Sequence, residues 1–312
     1  MKTNLLILDS LAEDYKKSLE PEFPDLVIRP CKTESEVGNF IEQARILLAF
    51  NISDELIRKA KNLDWIQALG TGVDSILALP SLPKSILLTS TRGIHGPQMS
   101  ELAILLMLAL ARRFPDMVRN QDKAVWERWP GELLWQKKVG ILGLGAVGEA
   151  IARKCKAFGM AVYGVNRSKK PVDAVDRLSG LENLLAVARD VDFFIVVVPL
   201  TAETRGMVGA AVFSAMKPTA FLLNLARGPV VDEQALMRAL ESKTIAGAGL
   251  DVFDEEPLPR NHPFWKMKNV ILTPHIGGTS TFYANQVLSI FRENLRQYLQ
   301  GERHALLNRV EP

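Results

Sequence analysis

Three segments of this chain carry side chains suited to chemistry, and a fourth offers backbone groups. His275, in Thr273-Pro274-His275-Ile276-Gly277-Gly278, follows a short apolar run. Imidazole titrates near neutral pH, so this residue can exchange a proton under ordinary conditions. Glu256, in Asp254-Glu255-Glu256-Pro257, is the carboxylate to pair with it. A negative charge beside one ring nitrogen keeps that nitrogen protonated and favours imidazolium, a proton source for a carbonyl oxygen. Arg227, in Asn224-Leu225-Ala226-Arg227-Gly228, follows another apolar run and carries a planar fork suited to a carboxylate. The fourth segment is a turn, Gly143-Leu144-Gly145-Ala146-Val147-Gly148. Gly143 permits the tight bend, Gly145 lets the backbone approach a pyrophosphate, and Gly148 lets helix and strand pack closely, with free N–H donors at the helix start. Each segment also has a plain structural use. Strand-end histidines make structural hydrogen bonds, a glutamate before proline is solvated, an arginine before glycine caps a turn, and a glycine pattern can be only a tight connection. Spacing alone does not bring the three side chains together.

The elements that must position these groups read as alternating strands and helices. Strand-like runs at 5–8, 27–29, 46–49, 65–69 and 87–89 are separated by helical segments at 12–19, 34–43 and 54–60, with Ser53 as N-cap of the last. A second series at 139–142, 161–165, 193–198, 221–225, 248–252 and 270–272 begins at the glycine turn. The alternation predicts an α/β fold with parallel sheets. Asn166, Pro199, Asn224, Asp251 and His275 end or follow strands of the second series. Ligands of open parallel sheets sit outside the carboxyl ends of the strands, so these residues are expected to face one crevice. Domains are expected at 1–100 plus 290–312 and at 101–289, with an apolar helix near 98–112 between the series and a final helix near 281–300 returning to the first.

Composition narrows the class. The chain has 312 residues, 47% of them apolar, and a formal charge of +3. That balance predicts neither a nucleic-acid nor a membrane surface. The most apolar stretch, 102–111, falls well short of the roughly twenty residues needed to span a bilayer. A start too short for a secretory segment makes the cytoplasm the expected location. Cys31 and Cys155 are far apart in sequence and are expected to be packed thiols, with no disulfide framework and no metal site.

The segments 139–148, 224–228, 249–257 and 262–278, in this order, resemble the D-isomer-specific 2-hydroxyacid dehydrogenase family. The resemblance covers essentially the whole chain. It implies two Rossmann-like doubly wound domains with a cleft between them and a homodimer built through the cofactor domain. Carried over by motif, Arg227 binds the substrate carboxylate and carbonyl, Glu256 raises the basicity of His275, and His275 is the acid-base residue. Gly70-Thr71-Gly72-Val73-Asp74 becomes the substrate loop, with the backbone N–H groups of Thr71 and Gly72 receiving the carboxylate, and Asn51 an additional cleft residue. A small residue bracketed by glycines after a strand suits close backbone approach, and serves a plain turn equally. His95 and Gln98, at the domain connection, fit contact with substrate or cofactor as well as a hinge or cap. Ala146, Val147, Pro199, Thr201, Leu225, Asp251 and Gly277 are implied to line the cofactor, Asp251 near the nicotinamide amide.

In an NAD-specific site the second strand ends in an acidic residue about twenty positions past the glycines. Here that place is Asn166, followed by Arg167, Ser168, Lys169 and Lys170, which supply cations and a hydroxyl where a 2′-phosphate would sit. NADP(H) is therefore expected over NAD(H), although Asn can also bond a ribose and a basic turn can be merely solvated. With His262-Pro263-Phe264-Trp265, the pattern is most similar to the glyoxylate/hydroxypyruvate reductase branch. That implies reduction of a small 2-oxo acid to the 2-hydroxy acid. The alternatives are an NAD-dependent D-2-hydroxyacid dehydrogenase of the same fold and a non-catalytic, dinucleotide-sensing corepressor-like protein. The short stretch after Gly301 leads to the expectation that the chain is not one of the longer phosphoglycerate dehydrogenases with a regulatory domain.

Overall fold

The computed structural model describes residues 2–168 and 171–310. The chain divides into two compact units, Met1–Ile94 with Ser280–Pro312, and His95–Thr279. The first contains strands β1 (Thr3–Leu8), β2 (Leu26–Cys31), β3 (Ile46–Ala49), β4 (Trp65–Ala68) and β5 (Leu87–Thr89). The second contains β6 (Lys138–Leu142), β7 (Ala161–Val165), β8 (Arg177–Ser179), β9 (Phe193–Val196), β10 (Phe221–Asn224), β11 (Gly247–Leu250) and β12 (Val270–Leu272). A last short strand, β13 (Arg309–Val310), returns to the first sheet.

In the first unit the sheet order is β13-β5-β4-β3-β1-β2, parallel except for β13, which runs antiparallel to β5. The series β2-β1-β3-β4-β5 is one of the two common doubly wound orders. Strand β3 and the Leu5–Leu8 part of β1 read as unbroken apolar runs because helices cover both faces. Leu5, Ile7, Ile46, Leu48 and Trp65 pack against helices α1 (Ala12–Leu19) and, near the chain end, Tyr283–Leu299. On the other face Leu6, Leu8, Leu47 and Ile66 meet α2 (Asp54–Lys59) and α3 (Asp74–Leu77). A buried polar chain crosses the first of these layers. The Trp65 indole donates to the Thr89 hydroxyl at 2.8 Å, that hydroxyl donates to Gln67 Oε1 at 2.8 Å, and the Asn294 amide donates to the same oxygen at 3.0 Å. Ser53 caps α2 as expected, accepting from Leu56 N at 3.1 Å. The helix expected at 34–43 instead forms two 3₁₀ turns, Glu34–Glu36 and Gly38–Glu42. Gly38, the first residue of the second turn, has φ +56°, where a continuous right-handed helix must break.

The second sheet runs β12-β11-β10-β9-β6-β7-β8, wholly parallel, with the order reversing between β6 and β9. Helices α4 (Gly96–Ala111), α5 (Phe114–Asp122) and α6 (Ala146–Ala157) open this unit. Side chains of α4 and α6 pack with Val139, Ile141, Ile195 and Leu223 on one face. On the opposite face α7 (Leu184–Asp190), α8 (Ala210–Ala215) and α9 (Glu233–Glu241) cover Leu142, Val196, Leu222 and Leu250. The remaining helix, α10 (Tyr283–Leu299), is the one that packs into the first unit. Both cysteines are buried free thiols, and burial pushes Cys155 up to about 12. Among the described residues no helix is long and apolar enough to cross a membrane.

Candidate active site

The strand ends of the second unit converge on a small set of polar groups. The glycine turn follows β6 at the point where strand order reverses, the usual place for a ligand in such a sheet. Gly143 has φ +101°, and a Cβ at Gly148 would lie 2.0 Å from the Gly143 carbonyl oxygen, so helix and strand meet with no room for a side chain. Gly145 is different: a Cβ there would meet open space. It is also the N-cap of α6, and no side chain caps that helix. An open approach to an uncapped twelve-residue helix start, with Ala146 and Val147 in its first turn, fits a pyrophosphate. Asn166, one residue past β7, is bound into this turn: its side-chain oxygen accepts from Leu144 N at 3.4 Å and its amide donates to Ser168 O at 3.0 Å. Arg167 is exposed and ion-paired with Glu203, an acidic partner that sequence spacing does not reveal. Lys169 and Lys170 lie outside the described residues.

His275 and Glu256 come together. His275 Nδ1 lies 2.6 Å from Glu256 Oε2, and Glu256 Oε1 accepts from Phe253 N at 2.9 Å. A carboxylate oxygen at that distance from Nδ1 is satisfied by an N–H on that nitrogen, which leaves Nε2 as the other ring nitrogen. The pair is partly open to solvent, His275 at 44% and Glu256 at 34% side-chain exposure. His275 has φ +51°, a left-handed conformation costly for a residue with a Cβ and characteristic of functional positions.

Asp251, 1% exposed and one residue past β11, holds that conformation. Its Oδ1 accepts from the Thr273 hydroxyl at 2.5 Å and from Ile276 N at 3.0 Å, its Oδ2 from Gly277 N at 2.9 Å, and its carbonyl from His275 N at 2.8 Å. Gly277 is hemmed in: a Cβ would stand 2.8 Å from Asp251 Oδ2 and 2.9 Å from Met99 Sδ.

Arg227 reaches the same locality through its neighbour. A Cβ at Gly228 would lie 2.0 Å from the Phe253 carbonyl carbon and oxygen and 2.4 Å from Asp254 N. The Arg227 turn is thus pressed onto the peptide whose preceding N–H binds Glu256. Asn224 staples the turn, accepting from Ala226 N and donating to Arg227 O, both at 3.2 Å, while an Arg227 N–H donates to Ala226 O at 2.8 Å. Leu225 is 4% exposed and sits in the core, so only its backbone can line a ligand. Pro199 and Thr201 share a hydroxyl-bonded turn in which Thr204 Oγ1 donates to Pro199 O at 2.7 Å.

His95 is 7% exposed, and a Cβ on Gly278 would stand 3.2 Å from its ring. Gln98 donates to Gly278 O at 3.0 Å. These two residues therefore support the loop that carries His275. Burial, and then the nearby Arg227 charge, push His95 down to about 4, so it is neutral at pH 7.

In the first unit, Thr71 is exposed and Gly72 half-buried in the loop after β4, and Asn51 is exposed beyond β3. The loop's entry is fixed by two hydroxyls, Thr91 donating to Leu69 O at 2.6 Å and Tyr283 donating to the same oxygen. Leu69 itself is fully buried, whereas Phe50 is exposed, its ring 3.7 Å from where a Gly70 Cβ would stand.

Known proteins share this construction. Residues 104–277 match the profile described as D-isomer specific 2-hydroxyacid dehydrogenase, NAD binding domain. The chain is 33% identical to a glyoxylate reductase of Thermococcus gammatolerans over 305 residues, 95% of this chain and 90% of that protein. It is 36% identical to a glyoxylate reductase/hydroxypyruvate reductase of Mus musculus over 267 residues, 82% and 81% of the two chains. A solved D-isomer specific 2-hydroxyacid dehydrogenase from Xanthobacter autotrophicus Py2, in complex with NADPH and MES, is similar with a TM-score of 0.86 and 31% identity, covering 100% of this chain and 99% of that one.

Proposed function

The chain belongs to the D-isomer specific 2-hydroxyacid dehydrogenases, NAD(P)-dependent oxidoreductases, and from that membership we propose that it reduces a small 2-oxo acid of the glyoxylate or hydroxypyruvate kind with NADPH. The observation that carries this reading is the 2.6 Å pairing of His275 with Glu256 at the carboxyl ends of the second sheet. When bound, the nicotinamide supplies a hydride for the carbonyl carbon. His275 Nε2 then donates the proton to the carbonyl oxygen, and Glu256 stabilises the imidazolium from which it leaves. Arg227 opposes the negative charge that develops on the oxygen, the kind of electrostatic term that dominates barrier lowering. The Thr71 and Gly72 amides receive the substrate carboxylate. Asp251 keeps the His275 turn in its left-handed form.

Gly143, Gly145, Ala146, Val147 and Gly148 would hold the pyrophosphate. NADPH is preferred over NADH in this reading because the residue after β7 is an amide, Asn166, instead of a carboxylate, and Arg167 and Ser168 follow it. The Xanthobacter relative was solved with NADPH, which is in keeping with this. We further propose a homodimer formed through the second unit, where Phe114, Trp126, Leu133 and Trp135 leave apolar surface exposed.

The test is NADPH oxidation followed with glyoxylate, hydroxypyruvate, pyruvate and branched or aromatic 2-oxo acids, with NADH in parallel. The His275→Ala variant is expected to lose about 10²- to 10⁴-fold in kcat while still binding NADPH. Tight NADPH binding without turnover of any 2-oxo acid would instead favour a dinucleotide-sensing protein.

A further inference from the structure

A second histidine–carboxylate pair lies beside the first. Helix α9 starts at Glu233, but its cap is Asp232, whose Oδ1 accepts from Ala235 N at 2.9 Å. Glu233 is thereby released for another use. Its Oε1 lies 3.1 Å from His262 Nε2, and its Oε2 accepts from Asp254 N at 3.4 Å. His262 Nδ1 accepts from Phe264 N at 3.3 Å, so the ring proton sits on Nε2 and is donated to Glu233. The two side chains are 14% and 15% exposed, and the imidazole packs 4.7 Å from the buried Phe264 ring. None of these groups belongs to the His275, Glu256 and Arg227 set.

What the pair grips is the peptide that the reacting groups share. Asp254 N is held by Glu233. The peptide before it is where Gly228, next to Arg227, has no room for a Cβ. One residue earlier, Phe253 N binds Glu256 Oε1. A shift of Asp254 therefore moves the support of both Glu256 and Arg227.

We propose that Glu233 and His262 are positioning residues, a clamp on Phe253–Asp254 that sets Glu256 against His275 and Arg227 against the substrate carboxylate. The proposal rests on the reductase reading given above. It acts through backbone placement, with no contact to substrate or cofactor.

His262→Asn tests the clamp with little change elsewhere. Asparagine keeps an acceptor where Nδ1 stands, and so keeps the cap on the 263–266 turn, but cannot reach Glu233. His262→Gln restores an N–H at the distance of Nε2. The measurements are kcat and KM with glyoxylate and NADPH, NADPH affinity by fluorescence, and the ¹⁵N-NMR titration of His275 in cofactor-free protein. For His262→Asn the expected result is a fall in kcat of about tenfold, a rise in KM of about threefold and a lower titration midpoint for His275, with NADPH affinity within about twofold of wild type. His262→Gln is expected to recover most of each change. Wild-type kcat, KM and His275 titration in a folded His262→Asn variant would overturn the clamp, as would equal losses in the Asn and Gln variants. If His262→Asn does not fold, Glu233→Gln, which keeps one acceptor oxygen, answers the same question by the same titration. Failure of the wild type to turn over any 2-oxo acid would refute the reductase reading alone, because the His275 titration needs no substrate.

Discussion

Acidification should weaken the fold through one buried imidazole. His95 is 7% exposed, and burial together with the Arg227 charge depresses it from an ordinary value of 6.5 to about 4. In the unfolded chain the ring takes its proton as the pH falls through 6.5, whereas the folded protein refuses it until about 4. The group thus favours the folded state fully above pH 6.5, and that contribution is lost as the pH drops from 6.5 to 4. The gap of about 2.5 pH units corresponds to roughly 3 kcal/mol, a sizeable part of the 5–15 kcal/mol typical of native proteins. Other groups also titrate in this range, so the quantity to measure is a difference: urea unfolding of wild type and His95→Gln at pH 7, 6, 5 and 4. Wild type should lose roughly 3 kcal/mol more than the variant over that span. Parallel pH dependences, or a His95 NMR midpoint near 6.5, would show that the ring is not held neutral and would refute the reasoning.

Two further substitutions probe the site from different sides. Arg167→Asp should weaken NADPH by about tenfold or more and leave NADH nearly unchanged, since only the former carries the 2′-phosphate; equal effects in a binding titration of both would remove that assignment. Gly228→Ala places a methyl 2.0 Å from the Phe253 backbone and should cost about 3 kcal/mol in thermal stability and raise KM for the 2-oxo acid; an unchanged Tm and KM would mean the loop yields freely.

Much of the framework could be read from residue type. Runs such as Ile46-Leu47-Leu48-Ala49 and Phe193-Phe194-Ile195-Val196 are apolar throughout because both of their faces are covered, and that pattern locates them without coordinates. Strand β8 escapes such a reading: an edge strand containing Arg177 and Ser179 has little apolar surface to declare it. So does β13, at two residues. Gly38 inside an otherwise helical pattern was the local signal for the broken 34–43 segment.

The site was legible as a list of groups and not as an arrangement. Asp251 is placed at a strand end by its sequence, yet its bonds to Thr273, Ile276 and Gly277 span more than twenty positions and leave no periodic trace. Glu233 looks from sequence like one more acid at a helix start, and His262 like part of a motif. Their meeting is a product of the sheet, which brings the start of α9 beside the loop after β11. The Arg167–Glu203 pair is invisible for the same reason.

The buried chain from Trp65 through Thr89 and Gln67 to Asn294 bears on how the molecule is made. Val287, Phe291 and Leu295 complete a layer whose other members, Leu5, Tyr15 and Trp65, leave the ribosome early in synthesis. The intervening unit, encoded continuously from 95 to 279, can reach its native state while the earlier strands still wait for their last helix. During that interval the part of the sheet face that α10 covers stands open, the kind of exposed apolar surface that makes a nascent chain prone to aggregation.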